Sequence, residues 1–139
     1  MKEKTKKYYC IIIGGGISGI TAAIYLKQAN KEVLLIEKST LGGVLNKIST
    51  IKNYPGNPGI SGPDLAYNLY KQVVDLKVEV LADTVINIKH LKTCNKVILK
   101  DKELTCKLAP NATKRFFELL EKGYYGELKF IFDNYVTIC

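Results

Sequence analysis

The sequence predicts an α/β fold, a parallel sheet with an antiparallel β-meander attached. Three observations predict it. The runs at residues 8–13 ("YYCIII") and 32–37 ("EVLLIE") have the uninterrupted apolar, β-branched character of parallel strands covered on both faces. A segment with helical spacing separates them. Beyond residue 82 the pattern changes to short strands set apart by turns, as in a meander.

Each element follows from its residues. The first strand ends at the glycines of "GGGISG", and from Ile17 the apolar positions Ile20, Ala23 and Ile24 recur at helical spacing as far as Ala29, where Asn30 stops the helix. The second strand ends at Glu37. Between Ser39 and Pro63 the chain is rich in Gly, Pro, Ser and Asn, and a loop of that length in a compact domain is usually functional. Ser61, Pro63 and Asp64 then open a helix whose Leu65, Leu69 and Val73 share a face. A third strand is expected at "VEVL", followed by "TVINIK", "KVILK" and "ELTCK" as the meander. A short helix is expected from Lys114 to Lys122, closed by Gly123, and the tail has strand character. The chain divides into residues 1–115, the main domain, and 116–139, a C-terminal helix and strand-like tail.

Composition narrows the function classes. A chain of 139 residues that is 47% hydrophobic can build one domain with a core. No apolar run of about 18 residues suggests a membrane span, and the basic start has no cleavage signature after it. A cytoplasmic protein is expected. The net charge of +8 comes from 21 basic residues of which all but Arg115 are lysine, spread along the chain. Without arginine forks or a basic block, nucleic acid is not an expected partner. Cys10, Cys94, Cys106 and Cys139 lie far apart, and His90 is the one histidine, so neither a metal site nor a disulfide framework is expected.

The glycine turn carries the chemistry. Gly14, Gly16 and Gly19 stand in G-x-G-x-x-G spacing between a strand and a helix, the context that makes this a dinucleotide-binding pattern. Gly14 suits a tight turn, Gly16 a close approach of pyrophosphate, and Gly19 close packing of helix on strand. The helix N-terminus offers free N–H groups and the positive end of its dipole. Glu37, 23 residues after Gly14, suits a carboxylate that accepts from two ribose hydroxyls and repels a 2′-phosphate. Spacing alone does not separate FAD from NAD.

The segments "IIIGGGISGITAAIYL", "VLLIEK", "LGGVLN" and "IKNYPGNPGISGPDLA" together resemble the N-terminal FAD-binding segment of the thioredoxin reductase family, and "LTCKLAPNATKR" is similar to a later strand motif of that family. The resemblance implies a Rossmann-like FAD/NAD(P)-binding fold and a flavoprotein oxidoreductase function. By position it implies that Gly14, Gly16, Ile17, Ser18 and Gly19 hold the FAD pyrophosphate and that Glu37 and Lys38 flank the adenosine ribose. It places Gly42, Gly43 and Leu45 along the ribityl and flavin portion, with Asn53 near the isoalloxazine ring and Asn111 in the later motif. Gly42 and Gly43 as ordinary turn residues, and Asn53 as a loop cap, remain alternatives.

Departures from the family bear on activity. Val44 stands where the family usually has glutamine, the strand near Leu108 is about three residues short, and Asn111 replaces a glycine, which asparagine can do because it reaches positive φ. The family's NADPH domain with its C-x-x-C, and the returning FAD segment, are not in these residues, so the fold is expected to be incomplete. NAD(P)H would then act as donor only if another chain supplied the missing domain. Cys139 alone cannot cycle as a dithiol. Within residues 116–139, Phe116, Phe117, Leu119, Leu120, Phe130 and Phe132 are expected either to pack in the core or to act as a cover or a surface for a partner, a homodimer or complementing chain. The other reading is a non-catalytic FAD- or NAD-binding module.

Overall fold

The computed structural model describes residues 6–106 and 137–138. Its elements are β1 (Lys7–Tyr8), β2 (Cys10–Ile13), α1 (Ile17–Gln28), β3 (Val33–Glu37), a 3-10 helix (Gly43–Lys47), α2 (Gly62–Asp75), β4 (Glu79–Ala82), β5 (Val85–His90), β6 (Asn95–Leu99), β7 (Glu103–Cys106) and β8 (Thr137–Ile138). They form two sheets, ordered β4-β3-β2-β8 and β1-β7-β6-β5. Strands β2, β3 and β4 are parallel, with Ile11 beside Leu34 and Leu35 beside Val80. Strand β8 meets Ile12 and Ile13 in the antiparallel sense.

One expectation needs correction. The run at 8–13 is not one strand: it divides at Tyr9, whose N–H and that of Cys10 both donate to the Glu32 carbonyl, at 2.8 and 3.3 Å. Before the division Lys7 and Tyr8 pair with Thr105 and Cys106; after it Cys10–Ile13 pairs with β3. The antiparallel meander is attached as expected, and it is attached as a separate sheet. It forms a second sheet with β1 as its fourth strand, and the chain passes between the sheets at Tyr9. A shift in register between Val85 and Asn87 interrupts the β5–β6 ladder.

The helices follow their sequence signals. Helix α1 packs on β2 and β3 and against α2. Its buried residues Ser18, Gly19, Ile20, Ala22 and Ala23 are mostly small, so its axis lies close to the sheet. Asn30 follows with φ of 57°, the left-handed turn that asparagine tolerates. Helix α2 is capped by Ser61, whose Oγ accepts from the Asp64 N–H at 3.1 Å and donates to Asp64 Oδ2 at 2.6 Å. Its Leu65, Leu69 and Val73 are buried.

One core joins both sheets. Ile11, Ile12, Leu34, Leu35 and Ile36 from the parallel sheet share it with Val97, Leu99 and Cys106 from the meander. The expected helix at 114–122, Asn111, the aromatic residues from Phe116 to Phe132 and Cys139 lie outside the described residues. Among the described residues no helix is long and apolar enough to cross a membrane.

Candidate functional site

The site is built where β2 ends and α1 begins. Gly14 turns the chain with φ of +107°, which favours glycine, and its N–H donates to the Ile36 carbonyl at 2.8 Å. Gly19 lies so close beneath the turn that a Cβ there would stand 1.8 Å from the Gly14 carbonyl oxygen. Helix and strand are therefore drawn together at the point the spacing indicates. Gly16 is the N-cap of α1, without a side-chain cap, and no acidic residue lies in the first turn. An added Cβ at Gly16 would meet nothing within 4 Å. That combination leaves an open, electropositive backbone surface in front of the helix.

Glu37 closes one side of this surface. Its Oε2 accepts from the Gly15 N–H at 2.6 Å and its Oε1 from the Ser39 N–H at 2.8 Å. The Gly15 carbonyl in turn accepts from the Gly42 N–H at 2.8 Å, so the glycine turn is held by both β3 and the loop that follows it. Gly42 and Gly43 both have positive φ, of 95° and 52°. A Cβ on Gly42 would stand 2.5 Å from Ala66 Cβ on α2, and one on Gly43 would stand 3.6 Å from Gly16 Cα. The second glycine pair thus lies between α2 and the first glycine turn.

Two cavities flank the turn. One, of about 300 Å³, is lined by Gly14, Glu37 and Lys38 together with Asp83, Thr84 and Val85. The other, of about 360 Å³, is lined by Ile17, Leu45 and Asn53 with Ile48, Tyr54 and Leu65. Its outer wall is the loop closed by the Ile51–Ile60 bridge, with the Ile51 N–H donating to the Ile60 carbonyl at 2.8 Å. Of the expected site residues, Gly14, Glu37 and Lys38 line the first cavity and Ile17, Leu45 and Asn53 the second, while Gly16, Ser18, Gly19, Gly42 and Gly43 line neither, and the backbone from Gly14 to Ile17 runs between the two. Ser18 is buried under the helix start. Val44, at the family's glutamine position, is 73% exposed.

Two glycines outside the G-x-G-x-x-G count also shape the site. Gly15 is buried against Leu41 and Glu37, and a Cβ on Gly62 would stand 1.8 Å from the Leu45 carbonyl oxygen. The triple glycine and the Gly-Pro that opens α2 were the only sequence signals of these positions. Asp83 and Thr84, between β4 and β5, carried none. Among the described residues no group of three His, Cys, Asp or Glu could hold a metal ion.

Comparison with known proteins agrees with this layout. The NAD(P)-binding Rossmann-like domain family matches residues 12–62, which run from β2 to the start of α2. The thioredoxin reductase of Ureaplasma parvum serovar 3 is 34% identical over 136 residues, spanning 95% of this chain and 43% of that protein. The chain resembles the N-terminal segment of thioredoxin reductases. The crystal structure of the thioredoxin reductase from Streptococcus pyogenes superposes with a TM-score of 0.72 at 35% identity, covering 75% of this chain and 34% of that one. A ferredoxin-flavin thioredoxin reductase from Clostridium acetobutylicum superposes with a TM-score of 0.70 at 26% identity, covering 73% and 36%. This thioredoxin reductase-like chain spans less than half the length of these relatives.

Proposed function

We propose that the chain is the FAD-binding portion of a thioredoxin reductase-type flavoprotein oxidoreductase. The observation that carries the reading is the open face at Gly16, with a cavity on either side of it. An elongated ligand with an anionic middle fits that arrangement, and FAD has that form. Support also comes from the relatives, one of which is a ferredoxin-flavin thioredoxin reductase.

In this reading Gly16, Ile17, Ser18 and Gly19 present backbone N–H groups and the α1 dipole to the pyrophosphate, while Gly14, whose own N–H is taken by the Ile36 carbonyl, holds it by turning the chain beneath it. Glu37 accepts from the ribose hydroxyls and Lys38 lines the same cavity. Gly42 and Gly43 admit the ribityl chain past the backbone, and Leu45 and Asn53 line the flavin side. Asn111 joins the set by resemblance alone. When bound, the flavin supplies hydride acceptance from a nicotinamide and electron delivery to a disulfide. The chain's own residues bind, orient and exclude: the carboxylate of Glu37 disfavours a 2′-phosphate, and the apolar wall of Ile17, Ile48 and Leu65 keeps water from one face of the cavity.

In this reading the sites for NAD(P)H and for the disulfide come from another segment or from a complementing chain in the cytoplasm; a homodimer is the other partner expected, and two copies of these residues alone would not supply those sites. This chain alone is expected not to complete NAD(P)H-to-disulfide electron transfer. The NAD(P)-binding description of the matched family favours a second reading, a non-catalytic FAD- or NAD-binding module. Visible absorbance separates the first reading from a module that binds NAD alone. Flavin bands in the purified protein, or after adding FAD and removing the excess, support the first reading; a colourless protein that takes up no FAD overturns it. If FAD binds and anaerobic NADPH or NADH fails to bleach it, the chain does not act alone.

A further inference from the structure

The hydrogen bonds of Glu37 go beyond what a ribose ligand requires. A carboxylate has about four acceptor positions. One on each oxygen is taken by the protein's own backbone, by the N–H of Gly15 in the β2–α1 turn and the N–H of Ser39 in the loop after β3. Gly15 is at the same time held through its carbonyl by the Gly42 N–H. We infer that Glu37 is a positioning residue: its carboxylate staples Gly15 to Ser39 and so holds the anion-binding turn in shape before any ligand arrives. The remaining acceptor positions are enough for two ribose hydroxyls, so the staple need not open when a nucleotide binds.

The geometry around Gly15 gives the staple its effect. The Gly15 peptide lies between Gly14, whose positive φ sets the turn, and Gly16, whose open face receives the ligand. Charge-assisted bonds to a carboxylate are among the stronger ones, so removing the acceptor frees the peptide that orients the cradle. The affinity part of this inference rests on the nucleotide-binding reading; the staple itself does not.

The test compares wild type with Glu37→Gln, which keeps shape but offers one acceptor and one donor where two acceptors are needed. In the ligand-free proteins, amide hydrogen exchange at Gly15 and Ser39 is expected to accelerate about tenfold at one or both positions, while β2 and β3 interiors are unchanged. In parallel, ADP and 2′,3′-dideoxy-ADP are titrated. The dideoxy ligand has no hydroxyls for Glu37 to bind, so a weakening of its affinity by about tenfold in the variant reports the cradle alone, with ADP weakened at least as much. Unchanged exchange at both amides, or a dideoxy-ADP affinity that does not respond while that of ADP falls, overturns the inference. If Glu37→Gln does not fold, Glu37→Asp carries the same test, since the shorter side chain cannot reach both donors. Should wild type bind neither ADP nor FAD, the functional reading falls and the exchange measurement alone decides the staple.

Discussion

At the start of α1 two glycines three residues apart are under opposite constraints. Gly16 faces open space and has φ of −73°, so a methyl group there strains nothing in the fold. Gly16→Ala is therefore expected to change unfolding stability by no more than about 1 kcal/mol while blocking close approach of a pyrophosphate. Measured side by side, FAD affinity should fall with the melting temperature nearly unmoved. Gly19→Ala should do the reverse in cause: its Cβ would stand 1.8 Å from a backbone oxygen, so helix and turn must part. A loss of about 3 kcal/mol is expected in denaturant unfolding, and equal stabilities for the two variants would contradict this account. These positions were legible because their spacing is local. Gly15 and Gly62 were not, because what crowds them is Leu41 in one case and the Leu45 carbonyl in the other, residues brought near only by the fold.

The elements repeat this division between local and distant information. Helix α2 was readable from its cap and its apolar face, and both should respond to mutation as those signals imply. Ser61→Ala removes the acceptor of the Asp64 N–H and is expected to cost about 1 kcal/mol. Leu69→Ala, in the buried face, is expected to cost about 2–5 kcal/mol. Chemical denaturation of both variants checks the order, and a larger loss for Ser61→Ala would contradict the packing. The strands were readable as strands but not as members of a sheet. A run of β-branched residues records that both faces are covered; it does not record which neighbour supplies the ladder. Tyr8 and Cys10 both read as interior, yet one pairs with β7 and the other with β3. The separate sheet of the meander was hidden for the same reason.

Because the chain passes between sheets at Tyr9, the molecule needs a tie on either side of that crossing, and a polar cluster provides one. The Tyr8 hydroxyl on β1 donates to Glu79 Oε1 on β4 at 2.7 Å, and Lys6 pairs with the other oxygen of Glu79. Lys6 also lies over the Tyr8 ring, 5.2 Å from its centroid. Burial first, and then the hydrogen bond and charge of Glu79 with the more distant charge of Glu32, push the Tyr8 phenol up from 10.0 to about 12. The hydrogen bond to Glu79 likewise raises Lys6, and that from Lys6 is the main cause lowering Glu79 below 4.5. The signs give a window at each end of the pH scale. A raised tyrosine or lysine stabilises fully below its unfolded value and loses that contribution as pH rises through the folded one, so stability should decline between about pH 10 and 12. The lowered carboxyl contributes above its unfolded value and loses its share as pH falls below about 4.5. Tyr8→Phe removes the phenol and keeps the ring, so its melting temperature should fall less steeply than that of wild type between pH 9 and 11.5. Parallel melting curves across that range would mean that the Tyr8 phenol adds no pH-dependent stability, leaving the Lys6–Glu79 pair and the shared apolar core to join the two sheets.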